Sequence, residues 1–517
     1  MEMIRESNKQ IKYGAIISYI AILFNIVSGL LYTPWMLNKI GQSEYGLFSL
    51  AITLISFFSI DFGLGEAVSR FLSKYNAENK IQEKKDFLGI TFKLYIVIDI
   101  VIFIILMIVY IFAGKIYAEL TVDELSKFRV AFLIAAVYSV CSFPFMPLNG
   151  IIISHERFTF RKFTDLLHKI ITVVMMIIVL LLGYRLYSLV IVNAISGVIT
   201  ILLKLSYIHK NKLIEINFRA KNRTILREIF GFSFWTTLMI VAQRFILNIT
   251  PTVLGAFAGS VQISLFSVAM AIEGYTWTFA NALNGLFLPK VTRITIRSNN
   301  SHEIENLMIK VGRIQLMLVG LLIIGFIIMG KEFMILWMGE SFSVSYYVTI
   351  LLILPCIITL TQDIANTTLV ALNKIRYRAY AYITVAVISF SLSVVLSRKW
   401  GAIGSGIAIF IGNVIGHVIL MNIVYNKVLK INIFRFFKEN HIKMCVPLIL
   451  FAVVASILQY FFPAKSMFLF LVKVCILCVI YFILMWNTAL NDYEKNLFSE
   501  LLNKIFQVFG RKLNVQR

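Results

Sequence analysis

The chain has 517 residues, of which 59% are hydrophobic and only 15% charged, whereas soluble domains keep about 25% charged residues. A formal net charge of +23 raises nucleic acid as a partner, but no basic domain stands apart from the apolar runs. The charge is spread over short loops, which excludes a nucleic-acid-binding protein and leaves a membrane protein.

About 20 apolar residues in succession span a bilayer as a helix, and such runs follow one another here almost without pause. At the amino terminus Arg5, Lys9 and Lys12 lead into an apolar stretch of full spanning length with no small-residue cleavage site. The first helix is therefore expected to be retained as an anchor. Fourteen spanning helices are predicted, at 14–36, 45–69, 87–112, 129–152, 166–183, 186–208, 229–256, 262–288, 308–330, 345–371, 379–396, 402–425, 443–461 and 466–489. They are too long and continuous for barrel strands, and only helices satisfy their own backbone hydrogen bonds in lipid.

Basic residues set the sidedness. The termini and every second loop carry about 32 Lys and Arg, against about 8 in the alternate loops. Segment 209–228 alone holds Lys210, Lys212, Arg219, Lys221, Arg223 and Arg227, and loop 256–261 holds none. Both termini are thus expected in the cytoplasm.

Gly41-Gln42-Ser43-Glu44-Tyr45-Gly46-Leu47-Phe48-Ser49 has a partner about 218 positions on. Gly41 answers to Gly259, and Leu47-Phe48-Ser49 to Leu265-Phe266-Ser267. Pro34 and Pro251 occupy matching places just upstream. Helices 1 and 7 both enter from the cytoplasm, so a duplication would relate two six-helix halves by an axis along the membrane normal. The expected fold class is an all-α integral membrane protein with two such bundles plus two C-terminal helices. The domains are read as a bundle at 1–208, a basic cytoplasmic linker at 209–228, a second bundle at 229–425, and two further helices with a tail at 426–517.

No large loop gathers acids or histidines. The six histidines are scattered, and no H-E-x-x-H, P-loop or G-x-S-x-G is present. The five cysteines fall inside apolar runs and form no disulfide framework or metal-ligand set. No enzyme, cofactor or metal is expected.

Charges in hydrocarbon are costly unless they face a cavity or a partner, so intramembrane polar residues mark candidate pathways. Arg244 lies near the middle of helix 7, Glu273 of helix 8 and Asp99 of helix 3. Asp61, Glu66 and Arg70 occupy one half of helix 2, and Asp363 lies in helix 10. Asn25 and Asn248 add neutral polarity at depth. Plainer readings stand beside these. Glu66 and Arg70 are four apart and fit a local ion pair; Arg244 and Glu273 fit a mutually neutralising pair; Lys93 and Lys473 sit near helix ends and are read as structural. Otherwise Arg244 is a fixed cation in a wet cavity, suited to a phosphate, and Glu273, Asp61, Asp99 and Asp363 are candidates for ion or proton coupling. Gly404, Ala408, Gly412 and Gly416 form a ladder for close helix packing. Prolines 34, 144, 147, 251, 355 and 447 are expected to bend or end helices.

The first ninety residues resemble the polysaccharide transporter family, the Wzx-type oligosaccharide flippases, within the multidrug/oligosaccharidyl-lipid/polysaccharide (MOP) exporter superfamily. The resemblance is carried by a polar start before helix 1, by Gly41-Gln42-Ser43-Glu44-Tyr45-Gly46-Leu47, and by Asp61-Phe62-Gly63-Leu64-Gly65 with Arg70 following. It implies alternating access around a central cavity in a bacterial cell membrane. It also implies an undecaprenyl-diphosphate-linked oligosaccharide as substrate, with the polyprenyl tail in lipid, Arg244 attracting the diphosphate and Arg70 guiding it. Membrane lipids, a polysaccharide polymerase and other assembly proteins are the implied partners. Lipid II flippases of similar layout place charges in helix 1; here nothing charged lies between Lys12 and Lys39, which favours another glycan. The alternatives are a MATE-like exporter of small molecules, against which Arg244 argues, and a membrane polysaccharide polymerase. A major-facilitator transporter is a further one, but Ser73 to Asp86 lacks that family's loop pattern.

Overall fold

Apolar segments that can find no water must close their backbone hydrogen bonds internally. A computed structural model of the protein is accordingly helical, with no strand among the described residues. Described are residues 2–58, 63–220, 223–284, 291, 293–294, 301–492, 494–496 and 499–500, with side chains except at 2–9, 11–12, 58, 223–233, 247 and 281–284.

The helices are α1 (Glu2–Ile40), α2 (Gln42–Phe58), α3 (Leu64–Ala77), α4 (Ile81–Ile116), α5 (Val122–Ser142), α6 (Pro147–Ser154), α7 (Phe158–Leu181), α8 (Leu186–Lys210), α9 (Arg223–Phe257) and α10 (Ser260–Asn284). Then follow α11 (Ser301–Met338), α12 (Ser343–Ile353), α13 (Asp363–Ala371), α14 (Ile375–Asn413), α15 (Met421–Leu429), α16 (Lys443–Phe461) and α17 (Met467–Thr488), with short turns between some of them. Among the described residues, eleven helical stretches are long and apolar enough to cross a membrane. The one at Ile375–Leu429 runs 55 residues and is interrupted at Gly401, where φ is 53° and ψ −129°. Neither α2, whose last described residue precedes residues 59–62, nor α10 is among the eleven.

Several predicted helices are continuous but longer, and three are broken. Predicted helix 2 divides into α2 and α3, with Gly63 in the left-handed region at φ 69°. Predicted helix 4 divides at the 3₁₀ turn Phe143–Phe145, which holds Pro144, and Pro147 opens α6. Predicted helix 10 divides near Pro355, which lacks an amide hydrogen to continue the ladder. By contrast Pro34, Pro251 and Pro447 lie inside α1, α9 and α16. The helix predicted from residue 229 begins at Arg223.

Contacts gather the chain into two units: Met1–Thr278 with Tyr347–Leu352 and Asn373–Met421, and Phe279–Tyr346 with Ile353–Leu372 and Asn422–Arg517. In the first unit α1 packs on α7, α3 on α6, α7 on α8, α2 on α5 and α9, and α9 along α14. The predicted small-residue ladder has its partner within α14 itself. A side chain at Gly412 would collide with Ser389 Oγ, one at Gly416 with Val385, and one at Gly404 with the Leu396 carbonyl. The two arms either side of Gly401 therefore fold back on each other at backbone distance, as small-residue interfaces permit. The segment after α8 docks on the start of α4. Asn217 Nδ2 donates to Asp86 Oδ1 at 2.8 Å, the Asn217 amide to the Lys85 carbonyl at 3.1 Å, and Lys93 Nζ to the Ala220 carbonyl at 3.1 Å.

The repeat read from the sequence has a physical counterpart in this unit. Gly41 and Gly259 share a left-handed backbone, at φ 87° and 84°, which side chains with a Cβ rarely adopt. Each precedes a helix, and those helices touch at matching positions: Ser49 Oγ lies 2.6 Å from Ser267 Oγ. Residues related by a local two-fold meet their own counterparts near the axis.

In the second unit α11 packs on α13, α16 and α17, around a core of Leu316, Met444, Phe451, Leu477, Tyr481 and Met485. Two of its buried cations are held by several partners each. Arg313 Nε and Nη2 bind the two oxygens of Glu494 at 2.6 and 3.0 Å, while its remaining donors reach the Glu439 and Ala489 carbonyls at 3.0 and 2.6 Å. Lys473 Nζ pairs with Glu332 at 2.5 Å and donates to Gln459 at 2.8 Å. The structural reading of Lys473 thus holds through a buried ion pair rather than through reach to a helix end.

Candidate functional site

At about 100° per residue, positions four apart share a helix face. On α9, Ala242 and Ile246 therefore share one face, and both are buried against Val385 and Ala386 of α14. Phe245 lies edge-on to Phe57 and Phe390, with ring centroids 5.9 and 5.4 Å away. Arg244 and Asn248 occupy another face, one turn apart. Arg244 is exposed and makes no hydrogen bond or ion pair with a described residue. Asn248 is buried, and its Nδ2 has no hydrogen-bond partner among the described residues. Glu273, half-buried on α10, interacts with the Trp277 indole one turn on and does not pair with Arg244.

The other predicted residues are dispersed. Asp99 is buried on α4, and its Oδ1 lacks a partner among the described residues. Asn25 is half-buried on α1, its carbonyl accepting from Ser28 Oγ at 3.4 Å. Glu66 and Arg70 are both exposed on α3 and are not paired with each other. Asp363 opens α13 in the second unit, beside Gln362, which donates to Asn422 at 2.8 Å. Asp61 lies outside the described residues. No hydrogen bond or ion pair joins Asn25, Glu66, Asp99, Arg244, Asn248 and Glu273 to one another.

A basic cavity of about 570 Å³ lies instead within the first unit, between α1, α5, α7 and α8. Lys162, Asp165, His168 and Lys169 enter it from α7, and Gly197, Thr200 and Lys204 from α8. Both sets recur at three- and four-residue spacing, which lays each along one helix face. Ser18 of α1 and Tyr138 of α5 complete the polar lining. The frame around it is fixed. The Phe160 and Tyr207 rings stack at 3.7 Å and 13° between α7 and α8, and Thr159 is held to Gln10 of α1 through its amide and hydroxyl at 3.3 and 3.1 Å. Gly197 lies against the Tyr138 hydroxyl, which leaves no room for a Cβ.

The cavity charges are unequally matched. Lys204, only 8% exposed, donates to Asn149 Oδ1 at 2.9 Å and faces Asp165 Oδ1 at 3.6 Å. His168 Nδ1 lies 3.3 Å from Thr200 Oγ1. Lys162 and Lys169, both half-buried, have no hydrogen bond or ion pair with a described residue. Three lysines against one aspartate leave two positive charges in excess. These positions were absent from the sequence-based set because they lie toward helix ends, where long basic side chains usually reach water. The available signal was the stripe Arg161, Asp165, His168, Lys169 and Thr172 along an otherwise apolar helix.

At the end of α2 and α10 nearest Gly41 and Gly259 stands a second polar cluster. Glu124 Oε1 accepts from Ser43 and Ser260, both at 2.5 Å, and its other oxygen accepts from the Thr121 amide at 3.0 Å in a capping box. Lys127 bridges Glu44 and Asp123 at 3.3 and 2.8 Å. Gly46 abuts the Ser260 carbonyl. The shared carboxylate ties the starts of the two repeat-related helices together.

Comparisons with known proteins agree with this helical architecture. A probable low-salt glycan biosynthesis flippase of Haloferax volcanii is 22% identical over 182 residues, which is 35% of this chain and 38% of that protein. The chain therefore spans well under half the length of that curated relative. Among solved structures, the lipid II flippase MurJ in an inward closed conformation is similar with a TM-score of 0.69 at 15% identity, over 91% of this chain and 97% of that one. An inward-facing MATE multidrug transporter of the MOP superfamily gives 0.65 at 14%, over 80% and 99%, and the bent form of the Vibrio cholerae MATE transporter VcmN gives 0.52 at 13%, over 84% and 99%. At such identities these structures establish the fold. Residues 11–294, more than half of the chain, match the family described as polysaccharide biosynthesis protein, and the chain, a multi-pass membrane transporter in fold, belongs to that family.

Proposed function

We propose that the protein is a flippase that moves undecaprenyl-diphosphate-linked oligosaccharide repeat units from the cytoplasmic to the outer leaflet of a bacterial cell membrane, for surface polysaccharide assembly. The observation that carries this reading is the family match over residues 11–294, joined to Arg244, a cation on a spanning helix with no partner among the described residues. An exposed arginine on an apolar helix costs several kcal/mol unless water or an anion meets it. In a carrier of diphosphate lipids Arg244 supplies that meeting point. Its planar guanidinium is suited to phosphate oxygens, and Arg70 would act at the cytoplasmic approach. Asn25, Glu66 and Asn248 would line the path. Glu273, Asp61, Asp99 and Asp363 are the proposed coupling acids.

The architecture in this reading is fourteen crossings with both termini cytoplasmic, as the loop charges favour. Two six-helix bundles, 1–208 and 229–425, would alternate access about the linker 209–228, with the segment 426–517 appended. The chain performs no covalent step: the glycan and diphosphate cross, and a polymerase and other assembly proteins act before or after. Deletion tests the reading. Complete lipid-linked repeat units should accumulate on the cytoplasmic face; unpolymerised units on the outer face would assign polymerisation instead.

A further inference from the structure

We propose that the cavity between α1, α5, α7 and α8 is a phosphate-binding site, in which Lys162 and Lys169 grip the phosphate oxygens and Lys204 is a prepositioned third cation. It stands apart from Arg244, which lies on α9. Only the identification of one source of the phosphate, the diphosphate of a polyprenyl carrier, rests on the flippase reading.

Three observations carry the proposal. First, the cavity volume of about 570 Å³ is within the range of small-molecule sites, about 300–1,000 Å³, so a diphosphate with part of its substituent is accommodated. Second, the basic groups divide by role. Lys204 is immobilised by Asn149 and Asp165, which stabilises a buried ammonium without cancelling the cavity's charge. Lys162 and Lys169, seven residues apart on one α7 face, line the cavity wall with no hydrogen bond or ion pair to a described residue, and Lys169 feels only the Asp165 carboxylate that Lys204 already faces. Unpaired ammonium groups in a partly dehydrated recess are unfavourable alone and are completed by an anion. Third, the neutral lining is hydroxyl and imidazole, from Ser18, Tyr138, Thr200 and His168. The Ser18 and Thr200 hydroxyls donate within their own helices, to the Gly14 and Ser196 carbonyls, which leaves the lysine ammonium groups as the donors that face an anion. A cation site would need the reverse balance, and Asp165, the lining's one carboxylate, already faces Lys204.

Two sources offer this chemistry: the diphosphate of a polyprenyl-linked carrier and the headgroup phosphate of a membrane glycerophospholipid. The experiment measures acylation of individual lysines in the purified full chain in detergent, read by peptide mass spectrometry, with farnesyl diphosphate, short-chain phosphatidylglycerol or farnesol added. Farnesyl diphosphate should slow the modification of Lys162 and Lys169 by about tenfold or more at saturation, as expected for charge-assisted contacts. Exposed Lys80 should be unaffected, and neutral farnesol should protect neither cavity lysine. Protection by farnesyl diphosphate alone assigns the carrier. Equal protection by phosphatidylglycerol assigns a lipid headgroup, with the phosphate site upheld.

As a second readout, Lys162→Ala/Lys169→Ala should bind the protective probe about tenfold more weakly, and Lys162→Arg/Lys169→Arg should restore binding. Unchanged acylation of both lysines under saturating farnesyl diphosphate and saturating phosphatidylglycerol overturns the proposal. So does full-strength binding by the folded double-alanine variant. Because these readouts need no transport, a protein that protects the lysines yet moves no glycan would defeat the flippase reading and leave the site standing.

Discussion

Charges on α11 and α17 and charges on α7 and α9 all lie on long apolar helices, yet they have opposite fates. In the second unit Arg313 spends its donors on Glu494 and two carbonyls, and Lys473 meets Glu332 and Gln459. In the first unit Lys162, Lys169 and Arg244 meet no such partner among the described residues. A buried pair with its charge neutralised and most of its donors met is a structural fastener, indifferent to any ligand. A cation left unmatched on a cavity wall or a helix face keeps its binding capacity. The number of intramembrane charges therefore says little about function, and their degree of satisfaction says more.

That contrast can be broken most forcefully at Arg244. Arg244→Ala should abolish glycan translocation in proteoliposomes while membrane insertion and thermal midpoint stay near those of the parent, because no described contact is lost. Full activity would remove the arginine from the site. Next comes Arg313→Ala, which strands Glu494 in a dry interior. It should destabilise by about 3–5 kcal/mol, the usual consequence of removing one partner of a buried pair, measured by denaturant unfolding in detergent. Replacing both partners by Met and Leu should recover much of that loss; no recovery would mean that Arg313 does more than neutralise Glu494. Gly412→Leu inserts a side chain where Ser389 already stands, and overpacking of this kind costs about 1–3 kcal/mol. Its thermal midpoint should fall, and Gly412→Ala should fall less.

The smallest stability effect should come from Lys162→Ala. With no bond to a described residue to lose, it should change the unfolding free energy by less than about 0.5 kcal/mol while weakening phosphate protection at Lys169. Glu273→Gln sharpens the comparison from the acid side. Its partner is an indole rather than a cation, so stability should change little. Translocation should nevertheless lose its response to an imposed proton gradient. A parent protein that ignores the gradient would dispose of Glu273 as the coupling group.

Much of the architecture was readable before any coordinates. Apolar runs longer than a bilayer become α1, α4, α11 and α17, since backbone satisfaction in lipid is a local matter. Gly41 and Gly259 recur at one offset because both positions require the same left-handed turn. The ladder at Gly404, Gly412 and Gly416 announced close packing, although not that its partner is the preceding arm of the same helix. The candidate site was less legible. Depth along the helix drew attention to Arg244, Asp99 and Glu273, but it could not pair Lys204 with Asn149 and Asp165, or recognise that Lys162 and Lys169 line one recess.

By itself, then, the sequence determined the helical class, the membrane environment and the repeat, because each depends on composition and spacing along one segment. Tertiary structure decided which charges are spent and which are available. That choice depends on which faces of α7, α8, α11 and α17 are turned toward a partner, and a Coulomb interaction depends on distance through space, which spacing along the chain does not reveal.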